Sequence, residues 1–115
     1  MKFSVLAAIV AEEMEDNAID IARKAGAGSV TLLSARGITA DDKKTFFGLT
    51  YEGSQSVLLF VLEKKLSLQV LKALTRELDL DNNPRGIAFT FPLEHLGGID
   101  TRDVDQFAKH IEDEV

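Results

Sequence analysis

Four carboxylates stand close together near the start of the chain, namely Glu12, Glu13, Glu15 and Asp16. Side chains of this type act as general acids and bases when burial or close pairing shifts their pKa values. Here they crowd the predicted start of a helix, where the helix dipole favours negative charge. We therefore interpret them as helix-start residues, and we predict that the chain is not an enzyme and has no catalytic residue.

The chain has few of the thiol and imidazole groups that bind transition metals and lacks a complete phosphate-binding motif. The chain has no cysteine and two histidines, His95 and His110, which we assign to the surface rather than to a metal site. Gly26 and Gly28 lie close together, but no Gly-Lys-Ser/Thr follows them, so a turn that ends a helix explains them better than a P-loop. We predict neither a metal site nor a P-loop.

The composition is that of one ordinary globular domain. The chain has 115 residues, of which 45% are hydrophobic and 28% are charged, and its formal net charge is -6. This negative charge argues against a nucleic-acid partner, because nucleic-acid binders concentrate Lys and Arg on one face. No run approaches the roughly 20 apolar residues that span a bilayer. We expect a single domain over residues 1–115, cytoplasmic and not embedded in a membrane.

The first half of the chain predicts two strands around a helix. Residues 3–10 are β-rich and apolar on both parities, which is typical of a central strand. The acidic segment then begins a helix that ends before Gly26. A second strand is predicted over 29–36 and ends at Gly37. Part of the loop that follows, residues 38–55, is expected to extend the flanking strands as a ribbon.

The second half predicts a strand, a helix, a strand and a last helix. Residues 57–62 form a continuous apolar run, and the next helix carries leucines at helical spacing. An Asn-Asn-Pro sequence at 82–84 is expected to end that helix. The fourth strand begins at Gly86 and is limited by Pro92. A final helix is predicted over about 100–114.

The order β-α-β-β-α-β is that of the α+β ferredoxin-like sandwich, with four strands in one sheet and both helices on one side. We predict this fold over a core of about 2–97, with the last helix as a C-terminal appendage. Because the first and third strands are apolar on both parities, the uncovered face of the sheet should be apolar as well. We expect copies of the chain to associate and cover it, although the pattern does not choose between two-fold and three-fold symmetry.

Three stretches resemble, in order, the P-II family of signalling proteins: GAGSVTLLSARG at 26–37, the loop after it, and GIAFTFPLEHLGGI at 86–99. The resemblance covers most of the chain and is to a divergent branch with SARG at the end of the second strand, FFG in the loop and GI-F--P in the fourth strand. It implies a homotrimer with inward-facing sheets and nucleotide clefts between subunits. It also implies a long loop that docks on a regulated transporter or enzyme, as in the nitrogen regulators of the family.

The resemblance further implies a site for an adenine nucleotide (ATP, ADP or AMP) or another small anionic effector. Two positions match the family's cleft, whereas its phosphate-binding lysine before the fourth strand and the two arginines beyond that strand are absent. Our hypothesis is that an arginine at 36 or 85 replaces the lost charge, because a guanidinium reaches far and forks onto phosphate oxygens. The predicted ligand residues are Thr31 and Gly37, which match, together with Arg36, Arg85 and Gly86.

The loop is several residues shorter than that of the nitrogen regulators. Its predicted partner-binding residues are Lys43, Lys44, Phe46, Phe47 and Tyr51. Some P-II proteins have a tyrosine in this loop that is nucleotidylated, but the neighbours of Tyr51 differ, and a strand-edge role fits it better.

Three alternatives use the same architecture. The first is a CutA-like trimer associated with divalent metals, and the second is a structural trimer that has lost its ligand. The third is an acylphosphatase-like enzyme, which grips phosphate with the loop after its first strand. The acidic segment at Glu12 and Glu13 argues against this enzyme, since it would repel an anion.

Overall fold

A computed structural model describes residues 2–40, 49–82 and 86–98 of the chain. The middle of the predicted loop and the helix predicted at about 100–114 lie outside these ranges.

Within the described residues, the strands and helices follow one another in the predicted order. They are β1 (Phe3–Ala11), a 3₁₀ turn (Glu12–Met14), α1 (Glu15–Lys24), β2 (Thr31–Ala40), β3 (Leu49–Glu63), α2 (Lys64–Glu77) and β4 (Gly86–Pro92). The strands form one antiparallel sheet in the order β2-β3-β1-β4. The first strand is therefore central, as predicted, and the other strand with apolar side chains on both parities, β3, is the second central strand. Neither described helix is long and apolar enough to cross a membrane.

One face of the sheet packs against both helices and forms the core. Residues that are paired across neighbouring strands point to the same side, so Leu6 of β1 lies beside Phe60 of β3, and Ala8 beside Leu58. Apolar residues of the two helices close over this surface. The main buried contributors are Leu6, Ala8, Val10, Leu58, Phe60 and Leu62 from the strands and Ala18, Ile21, Ala22, Leu66, Val70 and Leu74 from the helices.

The first helix ends at a glycine with a left-handed backbone. Gly26 has a φ of 120°, and its amide donates to the carbonyl of Arg23 at 3.0 Å. The next amide, of Ala27, donates to the carbonyl of Ala22, also at 3.0 Å. These two bonds satisfy carbonyls that the helix leaves free, and only a residue without a Cβ adopts this conformation readily. The predicted helix-ending role of Gly26 is confirmed.

The second helix uses the same kind of turn with an aspartate in place of the glycine. Asp79 has a φ of 52°, and the amide of Leu80 donates to the carbonyl of Thr75 at 3.0 Å. The helix therefore ends at Glu77, and the predicted stop at 82–84 is wrong. Aspartate is one of the few residues besides glycine that tolerates this conformation. Because aspartate is also common in other conformations, its presence at position 79 predicts the turn only weakly.

A glutamate caps the beginning of α2. The side chain of Glu63 is almost completely buried, and its Oε2 accepts hydrogen bonds from the amides of Lys65 at 2.7 Å and Leu66 at 3.3 Å. The amide of Lys64 donates to the carbonyl of Lys2 at 2.9 Å. Amides at a helix start lack partners within the helix, so these bonds fix where β3 ends and α2 begins.

The second strand does not end at Gly37, as predicted, but continues to Ala40. Gly37 pairs with Gly53, whereas Ile38 pairs with Tyr51, so one residue of β3 bulges out of the ladder at this point. The bulge lets the glycine stay inside the strand instead of ending it. The predicted ribbon is confirmed, and it includes both ends of the 38–55 segment.

The other face of the sheet is apolar, and no described element covers it. Five large apolar side chains on it, two of them rings of β4 with centroids 6.4 Å apart, are between 41% and 57% exposed. The prediction of a second apolar face is confirmed. These side chains are Leu33, Val61, Ile87, Phe89 and Phe91.

Candidate functional site

A polar groove of about 700 Å³ lies where the beginning of α1 meets the ribbon of β2 and β3. Its size is within the usual range for small-molecule sites, roughly 300–1,000 Å³. Its polar lining comes from Glu12 and Glu15 near the helix start, from Ser34 and Arg36 of β2, and from Ser54, Gln55 and Ser56 of β3.

The register of the ribbon places the strand residues of the groove side by side. Ser34 pairs with Ser56 and Arg36 pairs with Ser54, so these four side chains point to the helix side of the sheet in two adjacent rows. The carboxylates reach the same place because the 3₁₀ turn and α1 follow β1 directly. The helices do not extend over this end of the ribbon, which leaves the groove open.

A hydrogen bond fixes one carboxylate in the groove. The hydroxyl of Ser56, which is buried, donates to Oε1 of Glu15 at 2.9 Å. The sequence predicts Glu15 only as a helix-start residue, and it misses this contact because the partners are far apart along the chain. No sequence signal distinguishes Ser56 from solvent-exposed serines.

Two charged side chains of the groove are left without a partner in the described part of the chain. Arg36 forms neither a hydrogen bond nor an ion pair there, and the side chain of Glu12 is equally free. The ion pairs that the structure does describe lie on α1, where Asp20 contacts Arg23 and Lys24. The groove therefore offers charges of both signs to a ligand.

Gly37 lies beside the groove under the side chain of Gln55. A Cβ on Gly37 would come within 2.7 Å of Gln55 Oε1 and 2.9 Å of its Nε2. A side chain at position 37 would therefore displace the end of the Gln55 side chain. In the described ranges, no three His, Cys, Asp or Glu side chains come close enough together to hold a metal ion.

No protein-family model matches the chain, and no curated protein matches it significantly. Solved structures do match. B. subtilis GlnK in its ATP complex is 16% identical, with a TM-score of 0.65, over 88% of this chain and 90% of that one. CPII from Thiomonas intermedia K12, a nitrogen regulatory P-II-like protein, was solved with ADP and bicarbonate and is 17% identical, with a TM-score of 0.60, over 81% of this chain and 87% of that one. This chain has the fold of the P-II-like signalling proteins.

A solved structure with a different name also matches this chain. The periplasmic divalent cation tolerance protein CutA from Archaeoglobus fulgidus is 10% identical, with a TM-score of 0.63, over 96% of this chain and 99% of that one. At such low identities the likeness concerns the fold. The predicted α+β ferredoxin-like fold is confirmed, and the resemblance to P-II proteins is confirmed at this level.

The P-II-like fold separates the predicted ligand residues within one subunit. Thr31 begins β2 on the uncovered face of the sheet, and Gly37 follows on the same strand. Arg36 points to the helix side, into the groove. Gly86 begins β4, which is the other edge strand of the sheet. Three inter-strand spacings, or about 14 Å, separate β4 from β2. Arg85 lies outside the described residues.

Most of the predicted partner-binding residues also lie outside the described residues, namely Lys43, Lys44, Phe46 and Phe47. The backbone of Tyr51 belongs to β3 and pairs with Ile38. Its position in a strand agrees with the prediction, and its role remains a prediction.

Proposed function

We propose that this protein is a P-II-like signalling protein that acts in the cytoplasm and does not catalyse a reaction. In this proposal three copies form a ring, and an adenine nucleotide or another small anionic effector binds along the seams between them. The effector biases the 38–55 loop toward one conformation, and a transporter or an enzyme reads that conformation. Lys43, Lys44, Phe46, Phe47 and Tyr51 are the proposed contacts of the loop with its partner.

The observation that carries the proposal is the shared fold over more than four fifths of the chain with proteins solved in complex with nucleotides. GlnK was solved with ATP, and CPII with ADP and bicarbonate. The likenesses cover 88% and 81% of this chain, so they are not confined to one part of it. A nucleotide effector is therefore the first ligand class to test.

The uncovered face of the sheet supports the proposed assembly. Ile87 of β4 is 57% exposed and Phe91 is 46% exposed, and both lie on a face that continues into the apolar side chains of β1 and β3. Contiguous apolar surface of this kind usually marks an interface between proteins. Closed rotational symmetry would cover the same face in every copy.

The separation of the predicted ligand residues favours a site at a seam. Arg36 and Gly37 belong to one edge strand of the sheet, and Gly86 begins the other edge strand. A ring of copies can place the β2 edge of one subunit near the β4 edge of the next. Arg36 has no partner among the described residues, so its guanidinium is available to a phosphate group.

Two measurements on the full chain test the proposal. Size-exclusion chromatography with light scattering at micromolar concentration should give three times the 12.6 kDa mass of one chain. ATP, ADP or AMP should raise the melting temperature, since a ligand of the folded assembly stabilises it. A stable monomer would contradict the proposed assembly, and the absence of any nucleotide effect would rule out an adenine nucleotide as the effector.

Two arginine variants locate the nucleotide. We expect Arg36→Ala or Arg85→Ala to weaken binding in calorimetry by tenfold or more, the order of one charge-assisted hydrogen bond. Arg23→Ala is the matched control, because Arg23 is exposed in the last turn of α1, at the opposite end of that helix from the groove. Equal affinity in all three variants would remove the arginines at 36 and 85 from the site.

A CutA-like function is the second candidate, because the likeness to CutA covers 96% of this chain. It predicts that divalent cations, rather than nucleotides, stabilise the protein. The same melting experiment with copper, zinc and magnesium salts distinguishes the two candidates.

A further inference from the structure

The polar groove beside α1 carries three formal charges, which do not sum to zero and which form no ion pair with one another in the described part of the chain. Glu12 and Glu15 contribute two negative charges and Arg36 contributes one positive charge. In the described part of the chain no ion pair joins the arginine to either carboxylate. The groove therefore has a net negative charge and still contains a free cation.

The fold keeps these opposite charges apart. Glu15 is held over Ser56 by their hydrogen bond, while Arg36 stands one row further along the ribbon, opposite Ser54. The two rows are about 7 Å apart along the strands, and the two strands are about 5 Å apart. A ligand that fits this pattern must carry a negative group at one end and positive charge at the other. Serine hydroxyls on the floor can complete its hydrogen bonds.

We propose that the groove binds a basic α-amino acid. Its carboxylate forms a forked pair with Arg36, and its α-ammonium and its side-chain cation contact Glu15 and Glu12. This arrangement matches each of the three charges of the groove with one charge of the ligand. A simple anion bound wholly inside the groove, rather than at a seam, meets two carboxylates and is disfavoured there. A simple diamine leaves the guanidinium without a partner.

The inference goes beyond the proposed signalling function and does not depend on it. Every residue of the groove belongs to one subunit, so amino-acid binding requires no seam. Arg36 is shared with the proposed nucleotide site, whereas Glu12 belongs to the groove and Arg85 to the nucleotide proposal. Glu12→Gln should therefore impair the binding of the amino acid, and Arg85→Ala only that of the nucleotide.

Calorimetry with L-lysine and two of its analogues tests the ligand class. L-norleucine has the same carbon chain without the terminal ammonium, and 1,5-diaminopentane lacks the carboxylate. We expect L-lysine to bind at millimolar concentration or below, and each analogue to bind about tenfold more weakly or worse, because each loses one charge-assisted contact. L-glutamate should not bind. No heat with L-lysine, or equal affinity for L-lysine and L-glutamate, would overturn the inference.

Variants assign each charge of the ligand to its partner. Arg36→Gln should weaken L-lysine about tenfold or more and leave 1,5-diaminopentane unchanged, whereas Glu12→Gln should weaken L-lysine more than L-norleucine. Arg76→Gln and Glu77→Gln, at exposed positions near the end of α2, are the matched controls. Circular dichroism and melting curves establish that each variant is folded. If the groove variants and the controls bind L-lysine equally well, the groove is not its site.

Discussion

The hydroxyl of Ser56 donates a hydrogen bond to Oε1 of Glu15 at 2.9 Å, although the two residues are 41 positions apart in the chain. Ser56 is buried on β3, and Glu15 stands in the first turn of α1, so the bond ties the helix start to the ribbon. We expect Ser56→Ala to lower the free energy of unfolding by about 1–2 kcal/mol, because the acceptor is a carboxylate. Urea denaturation measures this change.

Ser54→Ala is the control for that prediction. Ser54 is the next residue on the same side of β3, and it is exposed and without a partner in the described part of the chain. Its loss should change the free energy of unfolding by less than about 0.5 kcal/mol. Equal effects at both serines would mean that the contact with Glu15 does not stabilise the fold.

Ser67 should respond to the same substitution with the opposite sign. It is 1% exposed in α2, and its Oγ has no hydrogen-bond partner among the described residues. A buried hydroxyl without a partner retains the full cost of leaving water. We expect Ser67→Ala to raise the free energy of unfolding by about 1 kcal/mol, and alanine also has the higher helix propensity. A loss of stability comparable to that of Ser56→Ala would show that the hydroxyl is bonded in solution.

Two glycines differ in what surrounds them, and they should differ in their response to alanine. At Gly86 a Cβ would meet Leu80 Cδ2 at 3.0 Å and Val10 Cγ1 at 3.1 Å, both in the packed interior. We expect Gly86→Ala to cost about 1–3 kcal/mol by overpacking. At Gly37 the nearest atoms belong to the end of Gln55, which can move, so Gly37→Ala should cost less than about 1 kcal/mol.

Thermal and urea denaturation of both variants compare these costs. In the double variant Gly37→Ala/Gln55→Ala, the side chain that the new Cβ meets is absent. We expect its free energy of unfolding to return to the wild-type value. A larger loss at Gly37 than at Gly86 would indicate that Gln55 is held in place more firmly than its contacts suggest.

The central strands and the first helix end follow from the sequence because the signals are local. Residues 3–10 are apolar on both parities, and only a central strand buries both faces. Gly26 ends α1 as expected, since glycine is the usual residue for a left-handed turn. Asp79 takes the same role after α2, and its residue type predicts this weakly, so the end of α2 is misplaced.

The groove could not be predicted, because its lining depends on register. Glu15 meets Ser56 only through the placement of α1 on the sheet, and Arg36 lines the same groove only because β2 pairs with β3 as it does. A shift of one residue would turn Arg36 to the other face. For the same reason, Thr31 and Arg36, which were predicted to share one ligand site, point to opposite faces of one strand.

The pH dependence of stability should include a contribution from Asp20. Its pKa is lowered from the ordinary value of 3.8, first by a hydrogen bond from Lys24 and then by one from Arg23. A carboxyl whose pKa is lower in the folded state stabilises the protein above the ordinary pKa. This contribution disappears as the pH falls through the lowered pKa. The contribution is small because the site is exposed.

Urea denaturation of wild type and Asp20→Asn over a series of pH values tests this. The two proteins should differ in stability at neutral pH and converge as the pH falls below about 3.8. High salt should reduce the difference at neutral pH, because it screens exposed ion pairs. If the difference in the free energy of unfolding persists unchanged in acid, its cause is something other than the charge of Asp20.

The cap of α2 offers a comparison of two glutamates at opposite ends of one helix. Glu63 accepts from the amides of Lys65 and Leu66, so Glu63→Ala leaves buried donors unpaired and should lower the free energy of unfolding by about 1–2 kcal/mol. Glu77 is the last residue of α2, where the helix dipole disfavours negative charge. Glu77→Ala should therefore leave the stability unchanged or raise it by a few tenths of a kcal/mol. Urea denaturation at low ionic strength measures both, and a larger loss at Glu77 than at Glu63 would show that the cap does not hold the beginning of the helix.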